Sequence, residues 1–166
     1  STHPELWDIW SEKNTESLNE ISYGVKNLYY WKCTNGHIDY LQSPKSKTQQ
    51  GAGCPSCAKT GFKPDKPAHY YVHKIINVNT SDILYYKGGI SNNWRKRMKQ
   101  ISYTIPKHME IINIELIEFL LGIDAQVLEK KLLDVVELRA PNRSFDGGHE
   151  LFISNPLDYA RTNGDV

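Results

Sequence analysis

Three cysteines and one histidine carry the first chemistry legible in this chain. Cys33 and His37 frame the run Cys33-Thr34-Asn35-Gly36-His37, and Cys54 and Cys57 follow in Gly53-Cys54-Pro55-Ser56-Cys57. Three thiolates and an imidazole have the number and softness that a closed tetrahedral zinc site takes. A glycine turn at Gly36 lets the first pair close on one ion, and Gly53 and Pro55 bend the second pair into a knuckle. Three cysteines cannot form a closed disulfide framework. A thioredoxin-like redox pair at Cys54 and Cys57 lacks a surrounding βαβ pattern and leaves Cys33 and His37 unexplained. Four protein ligands leave no open position for water, so the expected zinc is structural.

A second set of reactive residue types lies downstream. Residues 84–97 read as a strand running through Tyr85, Tyr86 and Lys87 into a glycine turn at Gly88 and Gly89, then a basic helix with Arg97. An earlier strand over 70–76 carries Tyr70 and Tyr71. Further on, at ~100° per residue, Ala125, Leu128, Leu132, Leu133, Val135 and Val136 define the apolar sector of a helix, and Glu129 falls inside it. A carboxylate there is expected to meet a cation or a donor. The bland alternatives are an internal ion pair for Glu129 and a plain sheet lining for the tyrosines.

These types suit phosphodiester hydrolysis. The planar fork of Arg97 holds a phosphate oxygen better than a point-charge lysine does. Glu129 offers one hard oxygen to Mg²⁺ or Mn²⁺, with waters and the phosphate filling the remaining positions. A phenol is a poor base at its reference pKa of about 10, so Tyr71 needs a neighbouring cation, such as Lys87, or a water chain.

The chain has 166 residues and a net charge of +1, enough for one ordinary domain or two small ones and with no global signature of a polyanion partner. The distribution is more informative. Residues 83–109 hold six lysines and arginines and no acid, whereas 110–137 hold seven acids against Lys130 and Lys131. One local basic surface is expected to meet a polyanion, with Arg95, Lys96 and Lys99 as contacts and Lys47 as a further one in the first domain. No apolar run approaches the ~18 residues of a membrane span, and the first residues lack the order of a signal peptide, so a cytoplasmic protein is expected.

The elements that must position these groups fall into two domains. A zinc-binding domain is expected over 1–60, with Trp7, Trp10, Tyr29, Tyr30 and Trp31 mostly in its core. A linker is expected over 61–69, where Gly61, Pro64 and Pro67 stand among lysines. The second domain, 70–166, reads as strands over 70–76 and 83–88 and a helix capped by Asn92 or Asn93 that runs to about Ser102. A strand over 109–119, a helix capped by Asp124 and ending before Pro141, and an irregular tail complete it.

Residues 1–60 resemble a treble-clef zinc-binding module of bacterial and phage proteins, on His3-Pro4-Glu5-Leu6, Tyr29-Tyr30-Trp31 before Lys32-Cys33, Gly36-His37 and the Cys54–Cys57 knuckle. Residues 67–155 resemble the GIY-YIG endonuclease family. Tyr71 matches the tyrosine of the first motif, with Tyr70 its nearest competitor, and Gly89 matches the glycine of the second. Arg97 matches the arginine of the first helix, Glu129 matches the metal-binding glutamate, and Phe145-Asp146-Gly147-Gly148-His149-Glu150-Leu151-Phe152 resembles a C-terminal segment of a phage and bacterial subgroup. Lys87 stands at the second tyrosine position, as in the subgroup with a Tyr-Lys-x-Gly motif. Gly88 replaces a usual aliphatic residue, which is expected to loosen the strand end. Ile101 stands where many relatives have a histidine, leaving His73 or His108 as substitutes.

The resemblance implies an α+β protein: a treble-clef domain followed by an α/β sandwich with a three-stranded antiparallel sheet flanked by helices. It implies a metal-dependent DNA endonuclease with Tyr71, Lys87, Arg97 and Glu129 as catalytic residues, Mg²⁺ or Mn²⁺ as catalytic metal and a zinc module that assists DNA binding, in a bacterial cell or phage-infected host. Two alternatives stay open: a zinc-containing nucleic-acid-binding protein that cuts weakly or not at all, and an interaction module built on zinc.

Overall fold

The computed structural model describes residues 3–166, so the first two residues of the expected 1–60 domain lie outside it. The chain divides into two compact units, one ending at Asp65 and the other running from Lys66 to Val166. The expected 61–69 linker is largely absorbed by them. Lys63 donates to the carbonyls of Pro55 and Ala58, Ser56 Oγ donates to Asp65 at 2.5 Å, and Ala68 already opens a strand.

In the N-terminal unit, two 3₁₀ turns (Pro4–Leu6 and Leu18–Glu20) precede an antiparallel pair, β1 (Tyr29–Trp31) and β2 (Tyr40–Gln42), and the short helix α1 (Pro44–Gln50). Ser43 caps α1 by accepting from the Ser46 amide, and Gly51 ends it at φ 60°, a left-handed position suited to glycine. Trp31 is fully buried with its indole N–H donating to the Gln42 carbonyl at 2.8 Å, and Trp10 meets it edge-on. Leu6, Leu18 and Tyr40 complete a core that is small for its length. Trp10 and Tyr29 pack against this core, while Trp7 stays outside it, 40% exposed.

The C-terminal unit is built on a four-stranded antiparallel sheet in the order β5-β3-β4-β6. Its strands are β3 (Ala68–Asn77), β4 (Ile83–Ser91), β5 (Met109–Phe119) and β6 (Leu151–Phe152). The expected three-stranded sheet therefore gains a fourth, two-residue strand from the segment read as an irregular tail. That tail also holds helix α4 (Pro156–Thr162), capped by Asn155. Helix α2 (Trp94–Ser102) starts at Asn93, whose side chain accepts from the Lys96 amide at 3.0 Å. Helix α3 (Gly122–Asp134) begins before the expected Asp124 cap, its first amide donating to the Lys66 carbonyl. Asp124 lies instead in the first turn, where the helix dipole favours an acid. Since α3 ends at Asp134, Val135 and Val136 leave its apolar face, and Val136 is largely exposed.

Side-chain alternation along β3 builds two cores on opposite faces of the sheet. Tyr70 and Val72 pack with Leu128, Leu132, Phe152 and Leu157, while Tyr71 and Ile75 pack with Ile101, Ile111 and Leu151. Both tyrosines cross onto the glycines of β4. Tyr71 pairs directly with Gly89, where a Cβ would stand 2.7 Å from Tyr71 Cζ. A Cβ on Gly88 would meet Tyr70 Oη and lie 2.8 Å from Phe152 Cε2 on the other face. Gly88 is fully enclosed and does not loosen the strand end: an aliphatic residue has no room there. Gly88→Ala should destabilise the unit by about 1–3 kcal/mol, the usual cost of overpacking. Tyr70→Phe should restore part of that loss and be close to neutral alone, because the Tyr70 hydroxyl is buried without a hydrogen-bond partner among the described residues. Urea unfolding of the four proteins measures both effects.

Candidate metal centre and catalytic cluster

In the N-terminal unit, Cys33, His37, Cys54 and Cys57 bring their donor atoms within 4.8 Å of one another. His37 Nδ1 lies 3.4 Å from Cys33 Sγ, 3.3 Å from Cys57 Sγ and 3.9 Å from Cys54 Sγ, and the Cys33 and Cys57 sulfurs are 3.6 Å apart. A zinc tetrahedron with ordinary Zn–S and Zn–N bonds has edges of about 3.5–3.8 Å, so the residues present fit the ion. Gly36 turns at φ 77°, and Asn35 donates its backbone N–H to Cys33 Sγ and its side-chain amide to Cys57 Sγ at 3.2 Å. Burial by itself pushes the Cys33 thiol up, but hydrogen bonding with His37 and with the Asn35 and His37 backbones brings it down to about 6. Burial pushes the Cys54 thiol up.

Lys47, expected as a DNA contact, points into this unit. Its ammonium donates to Tyr40 Oη and to the Ala52 carbonyl at 3.2 Å, and lies over the Tyr40 and Trp31 rings. Burial lowers its pKa to about 8 against the opposing pull of Cys54 and Cys33. Three thiolates around a dication leave a net negative charge, which a half-buried lysine beside them offsets.

In the C-terminal unit, Tyr71, Lys87, Arg97 and Glu129 converge, although they come from β3, β4, α2 and α3. Tyr71 is 1% exposed, Lys87 0%, and the Lys87 ammonium lies 5.7 Å from the centroid of the Tyr71 ring. Against burial, which raises both groups, Arg97 favours the ionised form of the Tyr71 phenol and the Ile90 backbone that of the Glu129 carboxyl. His73 stacks on Tyr71 at 4.5 Å, but burial and then Lys87 lower it to about 4, so it stands neutral. His108 is exposed at the entry to β5, and Ile101 lies in the core. Arg95, Lys96 and Lys99 are exposed on α2, the first with its guanidinium over the Trp94 ring at 4.6 Å.

Two carboxylates absent from the expected site complete it. Asp146 accepts both arms of the Arg97 fork, at 2.6 and 3.1 Å. Glu150 accepts from the Lys87 ammonium, which also donates to the Gly88 carbonyl at 2.6 Å. Both lie in the 145–152 segment, and the signal in the sequence was two acids in a glycine-bearing run far from the cations they meet.

These pairings set the electrostatics. Burial, then Glu150, raise the Tyr71 phenol despite the Arg97 contact, so Tyr71 rests as a neutral phenol and Lys87 does not convert it to a phenolate. Burial lowers Lys87, and Glu150 opposes that shift. Burial, reinforced by Glu150, raises Glu129 to about 7. The cations that act on Glu129 are already engaged, Lys87 by Glu150 and Arg97 by Asp146. A half-buried carboxylate without a salt bridge among the described residues is a hard oxygen donor that a divalent cation fits.

Residues 6–60 match the family model described as a probable treble clef zinc finger domain. The N-terminal unit is thus a treble-clef zinc module within a mixed α and β chain. No curated protein and no solved structure matches the chain. No helix of the described residues is long and apolar enough to cross a membrane.

Cys54→Ser or Cys57→Ser should release zinc and unfold the N-terminal unit, since structural zinc contributes on the order of 10 kcal/mol in small zinc domains. Full zinc content with an unchanged melt in either variant would refute the ligand set. A second outcome follows from Glu129. Its carboxyl rises from 4.5 to about 7, so the fold is favoured while it is protonated and loses that advantage as the pH climbs through 7. With divalent metal chelated, Glu129→Gln should match the parent below pH 4.5 and exceed its stability above pH 7 by on the order of 3 kcal/mol. Denaturant titrations across pH read the difference.

Proposed function

We propose that the C-terminal unit is a metal-dependent DNA endonuclease domain of the GIY-YIG type and that the treble-clef module assists its hold on DNA. The observation that carries this reading is the convergence of Tyr71, Arg97, Lys87 and Glu129, from four separate elements, around a phenol seated against Gly89. A plain sheet lining does not require two buried or half-buried cations and a raised carboxyl at one tyrosine. The basic outer face of α2 supplies the complementary charge for the polyanion.

In this reading Arg97 exchanges Asp146 for a phosphate oxygen, which its fork holds in the same two-pronged manner. Glu129 is the carboxylate that would hold Mg²⁺ or Mn²⁺, which when bound supplies positive charge at the leaving oxygen. Tyr71 orients the attacking water through its phenol. Arg97 beside the ring and Lys87 over it favour the departure of the phenol proton, against the burial that keeps the resting group neutral. A zinc-containing DNA-binding protein that no longer cuts is the second reading, favoured by that raised phenol and by the carboxylates already engaging both cations.

Supercoiled plasmid incubated with and without Mg²⁺ separates the two, with metal-dependent nicking expected from the wild-type chain. Arg97→Ala should abolish nicking and weaken binding only modestly. Neutralising Lys96 and Lys99 should weaken binding and lower the slope of log affinity against log salt by roughly 1.8, the loss of two phosphate contacts. Nicking by Arg97→Ala at the parental rate sinks the active-site assignment.

A further inference from the structure

Lys87 is a lysine with no exposed surface, and the segment that encloses it comes from 63 residues downstream. Gly147 closes over it at φ 73°, where a Cβ would stand 2.5 Å from Lys87 Cε and 3.0 Å from Nζ. Glu150 then turns back, its amide donating to the Gly147 carbonyl and its carbonyl accepting from the Gly88 amide, each at 3.2 Å. The next residue, Leu151, pairs with Lys87 itself across β6 and β4. Backbone bonds on both sides of Glu150 therefore aim its carboxylate at one target.

We infer that Glu150 is a positioning residue of the proposed nuclease site: it holds the Lys87 ammonium over the Tyr71 ring and acts on the reaction only through that lysine. The inference rests on the nuclease reading for its chemical consequence and on the Lys87–Glu150 geometry for its existence. Charged and titratable groups reach Lys87 from every neighbouring element: Glu129 from α3, Arg97 from α2, and Tyr71 and His73 from β3. Of the acids among the described residues, Glu150 alone forms a salt bridge with Lys87. Glu129 acts from farther away, and Arg97 opposes the ammonium. Without Glu150, burial and Arg97 both push Lys87 toward its neutral form or out of its channel, and positive charge over the phenol is lost. Asp146 differs: its pairing with Arg97 is solvent-accessible, at 28% and 41% side-chain exposure, and suits exchange for a phosphate.

The test is a double-mutant cycle on the full chain: wild type, Glu150→Gln, Lys87→Met and the double variant. Each is assayed for Mg²⁺-dependent nicking over a range of plasmid concentrations and for thermal unfolding. The methionine side chain fills the lysine channel without a charge. Glu150→Gln should lower kcat by at least about tenfold with KM within about threefold, and should change nothing further when Lys87 is already methionine. A kcat for Glu150→Gln within about twofold of wild type overturns the proposal, as does an equal loss in both backgrounds. If Glu150→Gln alone does not fold, the comparison of the double variant with Lys87→Met decides, since any further loss of kcat in the double variant shows action outside Lys87. A wild-type chain that does not nick overturns the nuclease reading and this role with it. Coupling in the melting temperatures of the four proteins then reports the ion pair apart from the reaction.

Discussion

A lysine buried with its charge is the constraint around which the C-terminal unit is organised. Lys87 sits in the middle of β4 with no access to water, so its ammonium must be met inside the protein. One acceptor is local, the Gly88 carbonyl, and the other is Glu150. Meeting that demand brings the 145–152 segment back onto the sheet edge, where Leu151 and Phe152 pair with Lys87 and Tyr86 as β6. Leu151 and Phe152 then enter the cores on opposite faces of the sheet. One segment thus meets a buried charge and contributes to both apolar cores, and the same loop delivers Asp146 to Arg97.

The tyrosine and glycine crossings follow a related logic. A phenol that lies flat across the neighbouring strand needs a residue without a Cβ beneath it, and β4 provides one for each face. The consequence for chemistry is a well-seated but water-poor phenol. Low local polarity holds Tyr71 neutral at rest and at the same time strengthens every nearby charge, so Arg97, Lys87, Glu129 and Glu150 act on one another over longer distances than they would in solvent. The raised Glu129 carboxyl and the lowered Lys87 are two expressions of that environment.

The N-terminal unit solves a different problem. Its three- and seven-residue elements bury few side chains, and the tetrahedron of Cys33, His37, Cys54 and Cys57 connects the turn after β1 to the knuckle after α1. Metal coordination takes the part that a larger apolar core plays in the second unit. Lys47 belongs to that arrangement, its ammonium lying between aromatic rings and near the thiols.

The sequence alone determined what depends on local spacing and chemical type. Cys-x₃-His and Cys-x₂-Cys specify a zinc set because the donors sit within single turns of chain. β-rich runs and a cap at Asn92 or Asn93, which the structure assigns to Asn93, locate β3, β4 and α2, since turns and caps are satisfied by near neighbours. Helical periodicity placed Glu129 beside apolar neighbours without revealing which charges it would feel. Tertiary structure decided the rest, because it turns on contacts between distant segments. It supplied Glu150 and Asp146, made Gly88 a steric requirement, drew β6 and α4 from an apparently irregular tail, and turned Lys47 inward. It also set the charge state of Tyr71, because a phenol's acidity depends on its burial and on the net effect of charges from several elements, and no stretch of sequence contains that sum.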